Sequence, residues 1–247
     1  MKKKLIIFLI VLLIIAGVLV YLFVNKGQNS LSGNVKKNDP DVEKLVIVSQ
    51  SEMSSFIFVT QESESDHVLN INLTPFLSFN IDEKEIESFK ISNFKGINPK
   101  SEAILIPPSN LSIDTVSRTF LFTVQESIIQ KDIVSDVDTI EYAVVSEVSK
   151  YNEVNKSGVI TPYFGVIIKD IGRVNYKEIF DSDGIFDGGK YLEYSEIPLE
   201  ELNTEIQFDI DIEFTDGSKY NKRFKGKLKG EAFATETSPM ITLEVVE

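Results

Sequence analysis

The stretch Ile206-Gln-Phe-Asp-Ile-Asp-Ile-Glu-Phe-Thr-Asp-Gly-Ser-Lys-Tyr-Asn-Lys-Arg-Phe-Lys-Gly-Lys-Leu228 decides the fold class. Its first half alternates strictly. Ile206, Phe208, Ile210, Ile212 and Phe214 fall on one side, and Gln207, Asp209, Asp211 and Glu213 on the other, the period of a half-buried strand. In the second half Tyr220, Phe224 and Leu228 share a face, Lys219, Arg223, Lys225 and Lys227 take the opposite one, and Lys222 is a charged misfit on the apolar side. Side chains alternate with period two, so only an odd loop sets apolar opposite apolar. A Thr215-Asp216-Gly217 loop pairs Glu213 with Lys219, Ile212 with Tyr220, Asp209 with Arg223 and Phe208 with Phe224. It also puts Gly217 where a type I turn with a G1 bulge needs a left-handed residue. The neighbouring register, looping at Asp216-Gly217-Ser218, is the alternative.

Outward from this hairpin the pattern stays that of strands. Short β-branched and aromatic runs occur at 45–48, 56–60, 68–73, 76–81, 89–91, 103–106, 119–124, 139–146, 159–169, 190–194 and 241–246, with turn material such as Asn98-Pro99 and Pro107-Pro108 between them. Helical periodicity is confined to a short segment at 198–202, with Ser195 upstream as a cap, and a weak one at 127–133. The chain is expected to be all-β. A shift of 87 residues lays Thr74-Pro75-Phe76 on Thr161-Pro162-Tyr163, and Ile106-Pro107 later falls near Ile197-Pro198. That repeat predicts two tandem, immunoglobulin-like β-sandwich domains, 41–137 and 138–247.

Residues 5–24 have no charged or strongly polar side chain and follow Lys2, Lys3 and Lys4. Twenty helical residues span about 30 Å, the hydrocarbon thickness of a bilayer. The run is longer than a signal peptide's apolar core and lacks a small-x-small cleavage site. A lipoprotein signal needs a cysteine, and the chain has none. The expectation is a cytoplasmic stub and uncleaved single-pass anchor over 1–27 and a flexible spacer over 28–40. The lysines favour an N-terminus inside and C-terminal domains outside the cytoplasm.

Lys+Arg number 25 against 38 Asp+Glu, a net charge of −13. Four of the lysines and none of the acids lie in residues 1–27, so the rest is more acidic still. Such a surface repels phosphate, which excludes nucleic acid as the expected partner. The absence of cysteine removes disulfides, thiolate metal sites and thiol catalysis.

Chemistry-bearing signals are sparse. His67 is the only histidine, and no Gly-x-Ser-x-Gly elbow accompanies it, so it reads as a loop residue before a strand. Carboxylate pairs such as Asp136/Asp138 and Glu200/Glu201 arise freely in an acidic chain. The densest cluster is Asp181-Ser-Asp183-Gly184-Ile-Phe-Asp187-Gly188-Gly189. Asp181, Asp183 and Asp187 are the candidate metal ligands, because Ca²⁺ takes six to eight oxygens and glycines let a backbone bend around it. Asp and Gly also simply make turns, and the spacing departs from an EF-hand loop. Asn72, Asn110 and Asn155 each begin an Asn-x-Ser/Thr sequon. Together these observations point to a non-enzymatic, membrane-anchored module outside the cytoplasm that binds a protein or glycan, or serves adhesion or structural support. The alternative is a carboxylate-dependent hydrolase acting on envelope glycans.

Overall fold

The computed structural model describes residues 40–61, 67–82, 84–110, 112–113, 138–174, 192–193, 195 and 197–246. The anchor expected at 5–24, the candidate calcium ligands Asp181, Asp183 and Asp187, and the strand expected at 119–124 lie outside these residues. Among the described residues no helix is long and apolar enough to cross a membrane.

The described chain is mostly β-strand. A helical turn, α1 (Pro40–Glu43), buries Val42 and leads into β1 (Ile47–Gln61), β2 (His67–Asn80), β3 (Ile86–Ile97) and β4 (Ala103–Ile106). Then come β5 (Ile140–Val145), β6 (Glu153–Asn155), β7 (Val159–Ile160), β8 (Gly165–Val174), β9 (Thr204–Phe214), β10 (Lys219–Leu228) and β11 (Met240–Val246). Short 3-10 helices occupy Leu199–Leu202 and Gly230–Ala234. The first has Pro198 at its N-cap and no side-chain cap, so Ser195 does not cap it. Leu192, Glu193 and Ser195 are helical where a strand was expected at 190–194, and Ser195 Oγ donates to the Leu192 carbonyl at 3.0 Å.

The strands join in the order β4-β8-β2-β1-β11-β10-β9-β3-β5-β6, with β7 paired to β2. This differs from two tandem sandwiches. β2 pairs with β8, β1 with β11, and β3 with both β5 and β9. Strands on the two sides of residue 137/138 therefore share one sheet, and the described strands do not divide into a 41–137 set and a 138–247 set. The repeat landmarks also part company: Thr74 sits inside β2, whereas Thr161 lies in the connection between β7 and β8. Two β-rich segments of similar composition share the Thr-Pro landmark without placing it at equivalent strand positions.

The sheet curls back on itself. β2 and β3 stand five steps apart on the strand path, about 24 Å if the sheet were flat. Yet the Phe79 ring of β2 lies 5.9 Å from both Phe89 of β3 and Phe224 of β10. Phe164, just before β8, meets Phe208 of β9 edge-on at 5.4 Å, and Phe208 stacks on Phe224 at 5.7 Å. These rings, all fully buried, fill the space between two facing layers. β11 turns the corner on one side, pairing with β1 at its start and β10 at its end. On the other side Ile97 bridges to Glu102, bringing the end of β3 against β4.

The β9–β10 hairpin has the predicted register: Glu213 opposite Lys219, Ile212 opposite Tyr220, Asp209 opposite Arg223 and Phe208 opposite Phe224. The Phe214 amide donates to the Ser218 carbonyl (2.9 Å), the Gly217 amide to the Phe214 carbonyl (2.8 Å), and Gly217 takes φ +82°. That is the Thr215-Asp216-Gly217 loop with glycine in the left-handed position. The misfit Lys222 is resolved outside the hairpin: its ammonium reaches Glu43 of α1 at 2.7 Å.

Candidate functional site

Two outer surfaces of the sheet carry polar groups in defined geometry. The first lies on β3, β9 and β10. Alternation sends Asp209, Asp211 and Arg223 away from the aromatic core, yet Asp209 and Arg223 are only 3% and 5% exposed. The Arg223 guanidinium meets Asp209 with both prongs, Nε to Oδ1 at 2.6 Å and Nη2 to Oδ2 at 2.9 Å. Asn93 adds a third bond, Nδ2 to Asp209 Oδ2 at 2.9 Å. Asn93 can do so because β3 bulges between Ser92 and Lys95 and its own backbone turns left-handed at φ 53°. Asp211 next door accepts from Ser92 Oγ and, at 2.6 Å, from Asn221 Nδ2. The bonds to Asp209 push the Arg223 pKa further up, so this cation stays charged. Chemically this is a strut: each carboxylate is held by cross-strand donors.

The second surface is the outer face of β1, β2 and β11. A bulge in β1 at Ser49 opens a groove of ≈ 510 Å³ lined by Ser49, Gln50, Ser51, Glu52, Ser78 and Thr242. Ser49 Oγ donates to the Ser78 carbonyl at 3.1 Å. The pairing register places four exposed apolar side chains around this polar floor. Ile47 and Val159 flank Asn80 from either side, Phe76 stands opposite Glu52, and Met240 opposite Ser54. Their exposures, 40–59%, are high for large hydrophobic residues. Hydroxyls and an amide beside aromatic and aliphatic side chains form a surface suited to hydrogen-bonding and stacking recognition. Glu52 is the one carboxylate among the groove's lining residues, so no pair of acids converges in it.

The remaining sequence signals fall elsewhere. His67 is not a loop residue: it begins β2, is 3% exposed, and pairs with Gln61 on one side and Val174 on the other. Asn72 is fully buried in β2, its amide donating to Thr74 Oγ1 at 2.9 Å, which closes that sequon to modification in the folded chain. Asn155 donates to the Val159 carbonyl at 2.9 Å, while Asn110 is exposed. Of the acidic pairs, Glu201 bonds Lys100 at 2.9 Å and Asp138 is exposed. Among the described residues no cluster of three or more acidic or histidine side chains is placed to hold a metal.

Sequence reading missed both surfaces in part. The Asp209–Arg223 pairing was legible from register, but not its burial, nor the arrival of Asn93 from a bulge more than a hundred residues away. The groove had no signal, because the Ser49–Glu52 segment lies between the strand runs at 45–48 and 56–60 and has no apolar alternation of its own. Comparison with protein-family models, curated proteins and solved structures finds no match for this chain.

Proposed function

We propose that the protein is a membrane-anchored, non-enzymatic recognition module. Residues 5–24 hold it to the membrane, and the β-rich body outside the cytoplasm binds a protein or glycan through the outer face of β1, β2 and β11. The observation that carries this reading is the groove of hydroxyls rimmed by exposed Ile47, Phe76, Val159 and Met240. Exposed apolar side chains gathered on one face of a monomer mark an interaction surface more often than chance. Support also comes from how the acids are used: Asp209 and Asp211 are bound by structural donors, which leaves them poorly placed for general acid–base work.

The test has two arms. A C-terminal tag on the full chain should be removed by protease added to intact spheroplasts, and the membrane-extracted protein should have the mass of the uncleaved chain. Phe76→Ser and Val159→Ser should each abolish retention of envelope protein or glycan fractions by the purified chain while leaving its melting temperature nearly unchanged. A protected tag overturns the orientation. Retention unaffected by both changes overturns the binding face, and release of reducing ends from envelope glycan by the wild-type chain favours the hydrolase.

A further inference from the structure

We propose that the free edge of β1 is a strand-addition surface, and that its occupant is the same segment of a second copy. β1 pairs with β2 along its whole length, but with β11 only at Glu52, Met53 and Ser54. There the ladder stops. The Ser55 amide and hydroxyl both donate to the Pro239 carbonyl, at 2.9 and 2.7 Å, and Pro239, lacking an N–H, cannot extend the pairing. Beyond Ser55 no described strand pairs with β1 on this side. Backbone groups alternate in direction along a strand. Because the Ser55 amide points to the β11 side, Ile57 and Val59 direct their N–H and C=O groups to the open side as well.

Monomeric proteins blunt such edges with charge, proline or brevity. The two end strands of the described path follow that rule. β4 has four residues and runs into Pro107-Pro108, and β6 is three residues with Glu153 at its head. β1 does not: Met53-Ser-Ser-Phe-Ile-Phe-Val-Thr-Gln61 has no charge and no proline, in a chain that is 26% charged. Phe56 and Phe58 stand together on its outer face, ring centroids 6.3 Å apart, while Ile57 and Val59 pack toward the core.

Residues 56–60 are complementary to themselves when antiparallel. Centred on Phe58, the pairing sets Phe58 opposite Phe58 of the partner subunit, Ile57 opposite Val59, and Phe56 opposite Thr60. The two Ile57–Val59 pairs are the hydrogen-bonded ones, and two-fold symmetry makes the interface closed. The register also fits the available room. Gln61 of the partner subunit, the last residue of β1, falls opposite Ser55, whose edge Pro239 already occupies, so the ladder is confined to residues 56–60. The paired residues 56–60 themselves carry no charge, while Glu62, Glu64 and Asp66 follow them in each chain, so the ladder forms against the repulsion of these flanks and salt should strengthen it. This association does not depend on what the groove binds.

The chain has no cysteine, so a single introduced one reports unambiguously. A cross-strand pair across a two-fold axis lies within disulfide reach. Full-length Phe58→Cys in detergent micelles should give a disulfide-linked dimer on mild oxidation, and Thr74→Cys, one strand inward on the same outer face, should not. In the wild-type chain, amide exchange over 56–60 should be about tenfold or more slower in concentrated than in dilute samples. Val59→Pro, which removes a donor that the monomer does not use on that side, should abolish this concentration dependence. A Phe58→Cys chain that stays monomeric, wild-type exchange independent of concentration, or protection of 56–60 lost on deleting 119–124 from the same chain, each overturns the proposal.

Discussion

Asp209 shows how a residue's energetic weight depends on its surroundings rather than its charge. Its carboxylate is almost wholly buried and accepts from Arg223 twice and from Asn93 once. Removing one partner of a buried pair leaves the other charge desolvated, which typically costs about 3–5 kcal/mol. Asp209→Ala is expected to destabilise the chain by that amount in urea melts. Lys219→Ala, which breaks the exposed contact with Glu213 at 3.2 Å, should cost under ~1 kcal/mol. Equal losses would show that the Arg223 strut is not buried in solution. Tyr142 is a second case. Burial holds its phenol well above the usual tyrosine range, and its hydroxyl donates to the Tyr163 carbonyl at 2.7 Å. A pKa raised by folding means that the stabilisation is complete below the unfolded value of about 10 and is lost as pH rises through the folded value. The protein should therefore lose stability above about pH 10, with phenolate absorbance appearing as it unfolds. Tyrosine absorbance is unobscured because the chain has no tryptophan. Tyr142→Phe should soften the alkaline loss while costing about 1 kcal/mol at neutral pH.

Elements differ in how much of their boundary was written locally. The β9–β10 hairpin was legible down to two neighbouring registers, because strict alternation fixes its faces and Asp216-Gly217 confines its turn; the structure takes the Thr215-Asp216-Gly217 loop. Gly217 has open space around it but φ +82°, so Gly217→Val is expected to cost more stability than Ser218→Val. The reverse order would reject the turn geometry. Lys84 binds the same turn, its ammonium 2.8 Å from Asp216 and 2.9 Å from Ser218 Oγ, which holds the Asp216 carboxyl well below its usual range. β1 and β2 were legible only in pieces. The run at 56–60 and the run ending at 48 are one strand, because β2 pairs across the largely polar Ser49–Ser55 segment, which carries no strand pattern of its own. Likewise 68–73 and 76–81 join through Thr74-Pro75, where β2 has a partner on the β1 side and none on the other between β8 and β7. Proline is tolerated there for lack of a bond to lose. The close approach of β3 to β4 had no sequence signal beyond a glycine. A Cβ on Gly96 would fall 2.2 Å from the Ala103 Cβ, so Gly96→Val should force the two strands apart and lower the melting temperature.

For the whole molecule, the aromatic core does the joining. Phe208→Ala removes a ring that touches both Phe164 and Phe224, and should cost about 3–5 kcal/mol in a single cooperative transition. Two separate transitions would instead indicate independently folding halves. The calcium reading of Asp181, Asp183 and Asp187 is tested at this scale too. Millimolar Ca²⁺ should raise the melting temperature of the wild-type chain but not of Asp183→Ala, and no shift in either leaves those residues as turn formers. What the sequence determined by itself was whatever local chemistry repeats with the period of a strand: the all-β class and the two-faced β9–β10 hairpin with its facing charges, narrowed to two registers. What only the tertiary structure decided was which strands meet. Strand partners far apart in the chain are chosen by the fit of whole faces, and β1 with β11, β2 with β8 and β3 with β9 left no mark in any short window. The same non-local pairing buried Asp209 on an outward face, opened the groove at Ser49, and left the edge of β1 beyond Ser55 without a neighbour among the described residues.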